Sequence, residues 1–180
     1  GVGMPCGGKM EVYVEPFLPQ PELMLVGQGR IAELVAELGR LLHFRVTVNS
    51  PGATREDFPF ADQLITDDTD YQKINPGLNS YVIVLTQHKG DQQVIQAALS
   101  GTPRYIGLVA SAKRSRLVVE YLKEGGMDAD ALRQVLRAPC GLDLGGRTPE
   151  EIALSIITEV VKLRHERTGL SMMEVKQCSI

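Results

Sequence analysis

One stretch constrains the fold of this chain more than any other: an apolar run that ends in Gly-x-Gly-x-x-Ala and continues into an amphipathic segment. The run is Leu23–Val26, the glycines are Gly27 and Gly29, and Ala32 lies in the amphipathic segment. This order predicts a strand, a tight turn and a helix, because Gly27 allows the turn and Gly29 lets the backbone approach a phosphate. The unpaired N–H groups that begin the helix favour an anion there. The stretch therefore predicts an anion-binding turn.

Strands and helices alternate along most of the chain. Apolar runs predict strands over 23–26, 44–48, 62–66, 81–85 and 105–109. Apolar residues at helical spacing predict helices over 31–42, 90–99, 113–123, 128–137 and 149–164. The alternation predicts an α/β fold: a Rossmann-like parallel sheet with helices on both faces.

We expect three parts in the chain. Residues 1–21 form a Gly-rich loop and a short half-buried strand over 9–17, where polar and apolar residues alternate. Residues 22–167 form the Rossmann-like domain with its C-terminal helices, and residues 168–180 form a flexible tail. The helix 149–164 and the strand 9–15 are candidate surfaces of a homodimer, although an amphipathic helix can equally pack on its own core.

The composition excludes some classes of partner. The chain has 180 residues, 43% of them hydrophobic, and a net charge of −3, so neither nucleic acid nor a membrane is an expected partner. We find no secretory-signal pattern and no apolar run near the ~20 residues that span a bilayer. The chain begins with Gly rather than Met, as either a tag remnant or a truncated start would. Its three cysteines are widely spaced, so we expect neither a metal site nor a disulfide, and we expect a cytoplasmic location.

Three loops are expected to meet at the carboxyl ends of the strands, where parallel sheets bind ligands. They are residues 27–30, 86–91 and 110–114. In the third loop, Ser111, Lys113 and Arg114 suit a phosphate; the alternative is a serine that caps a helix beside two solvated cations. His88 could move a proton or orient a ligand, or be an ordinary polar residue. Cys6, in a Gly-rich loop, could bind a soft metal or carry sulfur, or it could be inert.

The end of the second strand lacks the carboxylate that usually binds a nucleotide ribose. Asn49 and Ser50 stand there, which disfavours NAD. Ser50, or Thr54 with Arg55, could instead accept a 2′-phosphate. The alternative is that Asn49 and Ser50 only form the turn that leads into the following proline.

Several stretches together resemble the xanthine dehydrogenase accessory protein family of the XdhC/CoxI type. The stretches that carry the resemblance are Met4–Gly8 with 10–16, Leu25–Ile31, Phe58–Asp62, Thr86–His88 with Asp91, Tyr105–Ser111 with Lys113, and Ala138–Ile156. The last stretch, which reads APCGLDLGGRTPEEIALSI, is the longest and the most specific. The resemblance extends over nearly the whole chain.

The resemblance implies a molybdenum-cofactor chaperone rather than an enzyme. Such a protein binds molybdopterin, assists its sulfuration with a cysteine desulfurase and delivers it to a molybdenum hydroxylase. The residues that would bind the cofactor are Gly27, Gly29, Arg30, Ser50, His88, Ser111, Lys113, Arg114 and Cys6. The alternatives are an NAD(P)-dependent oxidoreductase and a nucleotide-sensing module.

The chain departs from the family pattern at four places. It lacks the usual N-terminal module, so the cofactor-binding role is either incomplete in this polypeptide or needs a partner chain that carries this module. The histidine of the family's Thr-His pair is displaced by one position to His88, and Ala110 replaces a usual glycine. Asn49 replaces the acidic residue after the second strand.

Overall fold

The computed structural model describes residues 11–15, 19–87 and 90–177. Within them, six strands form one sheet in the order β3-β2-β1-β4-β5-β6, and every neighbouring pair is parallel. The strands are β1 (Glu22–Gly27), β2 (Arg45–Asn49), β3 (Gln63–Ile65), β4 (Ser80–Leu85), β5 (Tyr105–Leu108) and β6 (Leu136–Arg137). The expected Rossmann-like sheet is confirmed.

Helices cover both faces of this sheet. They are α1 (Arg30–Leu41), α2 (Asp91–Ser100), α3 (Ala112–Glu124), α4 (Ala129–Val135), α5 (Pro149–Arg164) and α6 (Met172–Val175). Buried residues of α1 and α5 share one core cluster, and those of α2, α3 and α4 share the other. Because α5 packs on α1 and on the sheet, its apolar face already has a partner within the chain.

The central strands are buried on both sides. In β1, Leu23 and Leu25 belong to the cluster under α1 and α5, whereas Met24 and Val26 belong to the cluster under α2 and α3. Strands that are covered on both faces read as continuous apolar runs, which explains why the sequence shows them so clearly.

The C-terminal strand was not predicted. Residues 128–137 were expected to form one helix, but α4 ends at Val135 and the next two residues form β6. Leu136 pairs with Ile106 of β5 and is buried. Pairing with the free edge of β5 therefore overrides the helical pattern at this point.

Two helices leave some of their apolar residues exposed. Leu117 and Tyr121 of α3 are more than half exposed, and the helix instead buries Ser115, Val118 and Leu122. Leu41, at the end of α1, is also mostly exposed. In α3 the spacing of 115, 118 and 122 fixes a narrow stripe, and the neighbouring apolar residues lie outside it.

The two ends of the chain differ from expectation. Residues 11–15 are exposed and have no regular secondary structure, so the predicted half-buried strand is wrong for them; residues 9–10 and 16–17 lie outside the described residues. The expected loose tail contains the short exposed helix α6, which begins at a capping box formed by Ser171 and Glu174. We find no helix in the described ranges that could span a membrane.

Candidate functional site

The site lies where the strand order reverses, between β1 and β4. From β1 the chain continues to β2 on one side, whereas β4 leads to β5 on the other side. The carboxyl ends of these two strands open a crevice, which is the usual ligand position in such sheets. Two adjoining cavities occupy it and share Gln28, Leu85 and Gln87.

We name the two cavities after one residue of each. The Asn49 cavity, of about 330 Å³, lies towards β2 and is lined by Gly27, Asn49, Ser50, Tyr71 and Thr86 besides the shared residues. The Ser111 cavity, of about 440 Å³, lies towards β5 and is lined by Gly29, Arg30, Ala110, Ser111 and Arg114 among others. The three loops expected at this edge therefore meet there.

The glycine turn has the geometry that the sequence predicts. Gly27 has φ +125°, and a Cβ there would overlap the backbone carbonyl of Leu85 in β4. Gly29 has φ +101° and ψ 174°, a region that is essentially restricted to glycine. A Cβ at Gly29 would lie 3.1 Å from the Gln87 amide nitrogen. Both positions therefore require glycine, the first for strand packing and the second for backbone shape.

The start of α1 is open towards the Ser111 cavity. No side chain caps this helix at Gly29. Gly29, Arg30 and Ile31, its first residues, all line the cavity. Uncapped N–H groups and the positive end of the helix dipole favour an anion at this position.

The start of α3 reaches the same cavity, but its serine caps the helix. Ser111 Oγ accepts a hydrogen bond from the backbone N–H of Arg114 at 3.3 Å. Lys113 is exposed and does not line the cavity. The expected cluster of a hydroxyl and two cations thus separates into a helix cap, a surface lysine and a partly buried arginine.

Arg114 belongs to a partly buried polar network. Its guanidinium forms an ion pair with Asp91, whose other carboxylate oxygen accepts a hydrogen bond from the Thr86 hydroxyl. The side chains of Arg114 and Asp91 are only 16% and 3% exposed. Since Asp91 neutralises Arg114, this arginine fixes the loops after β4 and β5 more than it adds positive charge.

Arg30 is also paired with carboxylates. Its guanidinium lies 3.2 Å from Glu33 and 3.6 Å from Glu150, and all three side chains are well exposed. Exposed pairs of this kind contribute little stability and exchange readily with other anions. Arg30 can therefore turn to a ligand in the Ser111 cavity.

A carboxylate that the sequence analysis missed lies beside the end of β2. Asn49 Nδ2 donates a hydrogen bond of 2.5 Å to Asp68, which comes from the connection after β3. Asp68 also accepts the backbone N–H groups of Gln72 and Lys73 at 2.8 and 3.0 Å. Position could have indicated Asp68, because residues that follow a parallel strand lie at the ligand edge.

The three residues proposed for a 2′-phosphate are not brought together. Ser50 is buried and lines the Asn49 cavity, and its carbonyl accepts from Ala53 in a turn. Thr54 bonds Asp57 through its N–H and its hydroxyl, at 2.7 and 2.8 Å. Arg55 donates to the Ala61 carbonyl. Thr54 and Arg55 do not line the cavity, so they form local contacts of the loop after β2.

Tyr71 lines the Asn49 cavity, and the sequence did not reveal this role. It has φ +58°, and its ring packs so closely on Gly90 that a Cβ there would overlap the phenol. Burial raises the pKa of Tyr71, and the charges of Asp91 and Asp68 raise it further. Its hydroxyl therefore keeps its proton at neutral pH.

Cys140, the cysteine within the described ranges, does not line this crevice. Cys140 lies after β6, and its pKa is raised to about 12 by burial and by the nearby Glu159 carboxylate. Glu159 accepts hydrogen bonds from the Tyr105 hydroxyl and from the Gly141 N–H, at 2.6 and 2.8 Å. Cys6 and His88 lie outside the described residues. In the ranges that are described, no cluster of three His, Cys, Asp or Glu could hold a metal ion.

The fold and the crevice define a doubly wound ligand-binding domain of the Rossmann type. The XdhC Rossmann domain family matches residues 23–160. The chain therefore belongs to the XdhC Rossmann domain family, which confirms the resemblance seen in the sequence.

Relatives of known sequence agree with this assignment. A protein named "Uncharacterized protein YqeB", from Escherichia coli (strain K12), is 27% identical over 181 residues, which cover 96% of this chain and 33% of that protein. A protein described as a probable xanthine dehydrogenase subunit, from Bacillus subtilis (strain 168), is 30% identical over 163 residues, which cover 85% of this chain and 46% of that protein. The chain thus spans a third to a half of the length of these relatives.

A solved structure shares the fold. It is described as a xanthine dehydrogenase from Bacillus halodurans, and it matches with a TM-score of 0.71 and 26% identity. The match covers 87% of this chain and 46% of that chain.

Proposed function

We propose that this chain is the cofactor-binding part of an accessory protein for a xanthine dehydrogenase or a related molybdenum hydroxylase. In this role it binds the molybdenum cofactor, assists its sulfuration and aids its insertion into the target enzyme. One observation carries the proposal: the uncapped start of α1 at Gly29, open to the Ser111 cavity. The family and the names of two relatives supply the link to xanthine dehydrogenase.

The residues around the Ser111 cavity fit the phosphate of molybdopterin. Gly29 leaves room where any side chain would crowd Gln87. The first N–H groups of α1 would bind the phosphate, and Arg30 would leave its exposed carboxylate partners to pair with it. When bound, the cofactor would supply the molybdenum centre on which the target enzyme depends, and the role of this chain would be to hold it.

The proposed role requires other proteins. A cysteine desulfurase would supply the sulfur, and the molybdenum hydroxylase would receive the cofactor. A chain that carries the family's N-terminal module, or a second copy of this chain in a homodimer, could complete the site. Cys6 and His88 stay candidates for contact with the cofactor.

The test is to identify what the protein carries after gentle purification from its own host. Bound molecules are released by denaturation and identified by mass spectrometry. We expect pterin in the unaltered chain and a loss of pterin in Gly29→Val. The matched control is Gly77→Val, because Gly77 has ordinary backbone angles and a Cβ there meets nothing within 4 Å. Absence of pterin, or equal retention in both variants, contradicts the proposal.

A Lys113 variant tests whether electrostatic attraction contributes to pterin retention in addition to the shape of the glycine turn. Lys113→Ala should lower pterin retention modestly, since this exposed ammonium lies in the first turn of α3. Lys123→Ala, at the other end of the same helix, is the control. Equal retention in the two variants removes Lys113 from the site and leaves the role of Gly29 intact.

A further inference from the structure

We propose that Glu150, at the start of α5, competes with a bound anion for Arg30 and so keeps ligand binding at the Ser111 cavity weak enough for release. Glu33 of α1 contributes to the same competition. The inference rests on the proposed function in one respect, because it takes the start of α1 to be the place where an anion binds. It gives a role at that place to two carboxylates that do not themselves line the cavity.

Two helices begin at this cavity, and they differ in how their first N–H groups are satisfied. No side chain caps α1 at Gly29, so its N–H groups remain for a ligand. The start of α5 is already satisfied, because Thr148 and Glu151 form a capping box. Arg30 and Pro149, the first residues of the two helices, both line the cavity. An anion is therefore expected at α1, and α5 acts on it through its side chains.

One side chain of α5 already contacts the arginine of α1. Glu150 follows the proline that lines the cavity, and its Oε1 lies 3.6 Å from Arg30 Nε. Another nitrogen of the same guanidinium, Nη1, lies 3.2 Å from Glu33 Oε2. An incoming anion therefore has to share Arg30 with two carboxylates that are already in contact with it.

The charges determine the sign of the effect. Two carboxylates and one guanidinium leave one net negative charge, so this group attracts an anion only after a carboxylate has moved away. The three side chains are 37% to 59% exposed, and each contact can therefore be broken at small cost. Arg30 stays available, but the ligand binds more weakly by the energy of the contacts that are lost. Carboxylates that return to Arg30 favour release, which a carrier protein requires.

The stretch that most resembles the family, residues 138–156, holds Glu150 in this place. Glu151 accepts the backbone N–H groups of Arg147 and Thr148 at 2.8 and 3.1 Å, which fixes the chain just before Glu150. The stretch therefore has a role at the ligand site, because it keeps a competing carboxylate beside Arg30.

The first experiment measures the binding of inorganic phosphate to the 180-residue chain by NMR titration at constant ionic strength. The backbone amide signals of Gly29, Arg30 and Ile31 report on the start of α1. We expect Glu150→Gln to bind phosphate about two- to fivefold more tightly than the unaltered chain, the range for an exposed ion pair. Glu33→Gln should act in the same direction.

The matched control is Glu37→Gln. Glu37 is an exposed residue of α1 about two turns beyond Arg30, and its replacement changes the net charge by the same amount. This variant should bind phosphate as the unaltered chain does. Equal or weaker binding in Glu150→Gln, an equal gain in Glu37→Gln, or no phosphate-dependent shift in any variant overturns the proposal.

A double-mutant cycle assigns the effect to Arg30. Arg30→Gln alone should weaken phosphate binding. In the Arg30→Gln background, Glu150→Gln should give a smaller gain than in the unaltered chain, because no guanidinium is left for which to compete. A residue that only supported the start of α5 would change the free energy of unfolding and leave phosphate affinity unaltered. An equal gain in both backgrounds would show direct repulsion of the anion and overturn the competition.

Pterin retention separates this inference from the proposed function. Glu150→Gln should retain more pterin than the unaltered chain, whereas Gly29→Val should lose it. If the unaltered chain carries no pterin but phosphate binds as described, the competition stands and the molybdenum-cofactor role fails. If pterin is present but Glu150→Gln binds phosphate no more tightly, the competition fails and the cofactor role stands.

Discussion

At the scale of single residues, Gly27 and Gly29 serve different purposes although they are two positions apart. A side chain at Gly27 would meet the backbone of a neighbouring strand, which cannot move without opening the sheet. A side chain at Gly29 would meet the end of a flexible glutamine, so the main obstacle there is the backbone conformation. The two glycines should therefore differ in how much stability depends on them.

Alanine substitution of each glycine measures that difference. Gly29→Ala should lower the free energy of unfolding by about 1–3 kcal/mol, the usual cost of a strained backbone. Gly27→Ala should lower it further, because the overlap with Leu85 is added. Urea denaturation gives both values, and Gly77→Ala is the control, expected within about 0.5 kcal/mol of the unaltered chain. The reverse order of Gly27 and Gly29 would contradict the structure.

The Cys140 thiol should be unreactive in the folded protein. Its pKa of about 12 keeps it protonated near neutral pH, and the thiolate is the reactive form. We expect iodoacetamide at about pH 8 to leave Cys140 unmodified until denaturant is added, as read by mass spectrometry of its peptide. Rapid labelling in the native chain would show that the thiol is ionised and accessible.

The same thiol should make stability depend on alkaline pH. The folded pKa is raised from the ordinary 9.0 to about 12, so the folded state keeps a proton that the unfolded state releases. Its stabilising contribution is present below pH 9 and is lost as the pH rises to about 12. Cys140→Ala should show a smaller fall in unfolding free energy over this range. If the unfolding free energy of Cys140→Ala and of the unaltered chain fell equally, the thiol would not contribute, and groups such as the buried tyrosines would account for the pH dependence.

At the scale of elements, helix α5 begins at residue 149, as the sequence predicts, and residues adjacent in sequence fix this start. Thr148 caps it, Glu151 returns a bond to the cap backbone, and Pro149 occupies the first turn. Thr148→Ala should cost about 1 kcal/mol of unfolding free energy, since the start of the helix loses its cap partner. The control is Thr158→Ala, whose hydroxyl only bonds the exposed carbonyl of Leu154. Equal costs would mean that the cap contributes nothing.

An element could be predicted from the sequence when the interactions that form it join residues close together in the chain. The glycine turn, the buried strands and the start of α5 follow from residues that are adjacent in sequence. Strand β6 forms by pairing with the edge of β5, and no local pattern in Leu136 and Arg137 predicts this strand. The pairing of Arg114 with Asp91, and of Asn49 with Asp68, joins distant segments in the same way. Such contacts depend on the assembled sheet.

At the scale of the whole molecule, α5 is required and the segment after it is not. Residues 165–177 are largely exposed, whereas α5 buries Ala153, Ile156, Ile157 and Val160. A fully buried aliphatic side chain contributes about 1.5–3 kcal/mol, and a domain has about 5–15 kcal/mol in total. Loss of the helix should therefore remove most of the stability.

Two truncations test this. A chain that ends at Arg167 should unfold within about 0.5 kcal/mol of the full chain, because few buried contacts are lost. A chain that ends at Arg147 should show no cooperative transition in circular dichroism. Cooperative unfolding of the shorter chain would contradict the assignment of α5 to the core.

The strand order that creates the crevice also orders the events of synthesis. Strand β1 can pair with β2 once residue 49 has left the ribosome, but its other edge has no partner until residues 80–85 follow. An unpaired apolar strand edge is a template for association with other chains. The nascent protein therefore passes through an interval in which the future ligand site is an open, aggregation-prone edge. The arrival of β4 both ends that hazard and creates the crevice.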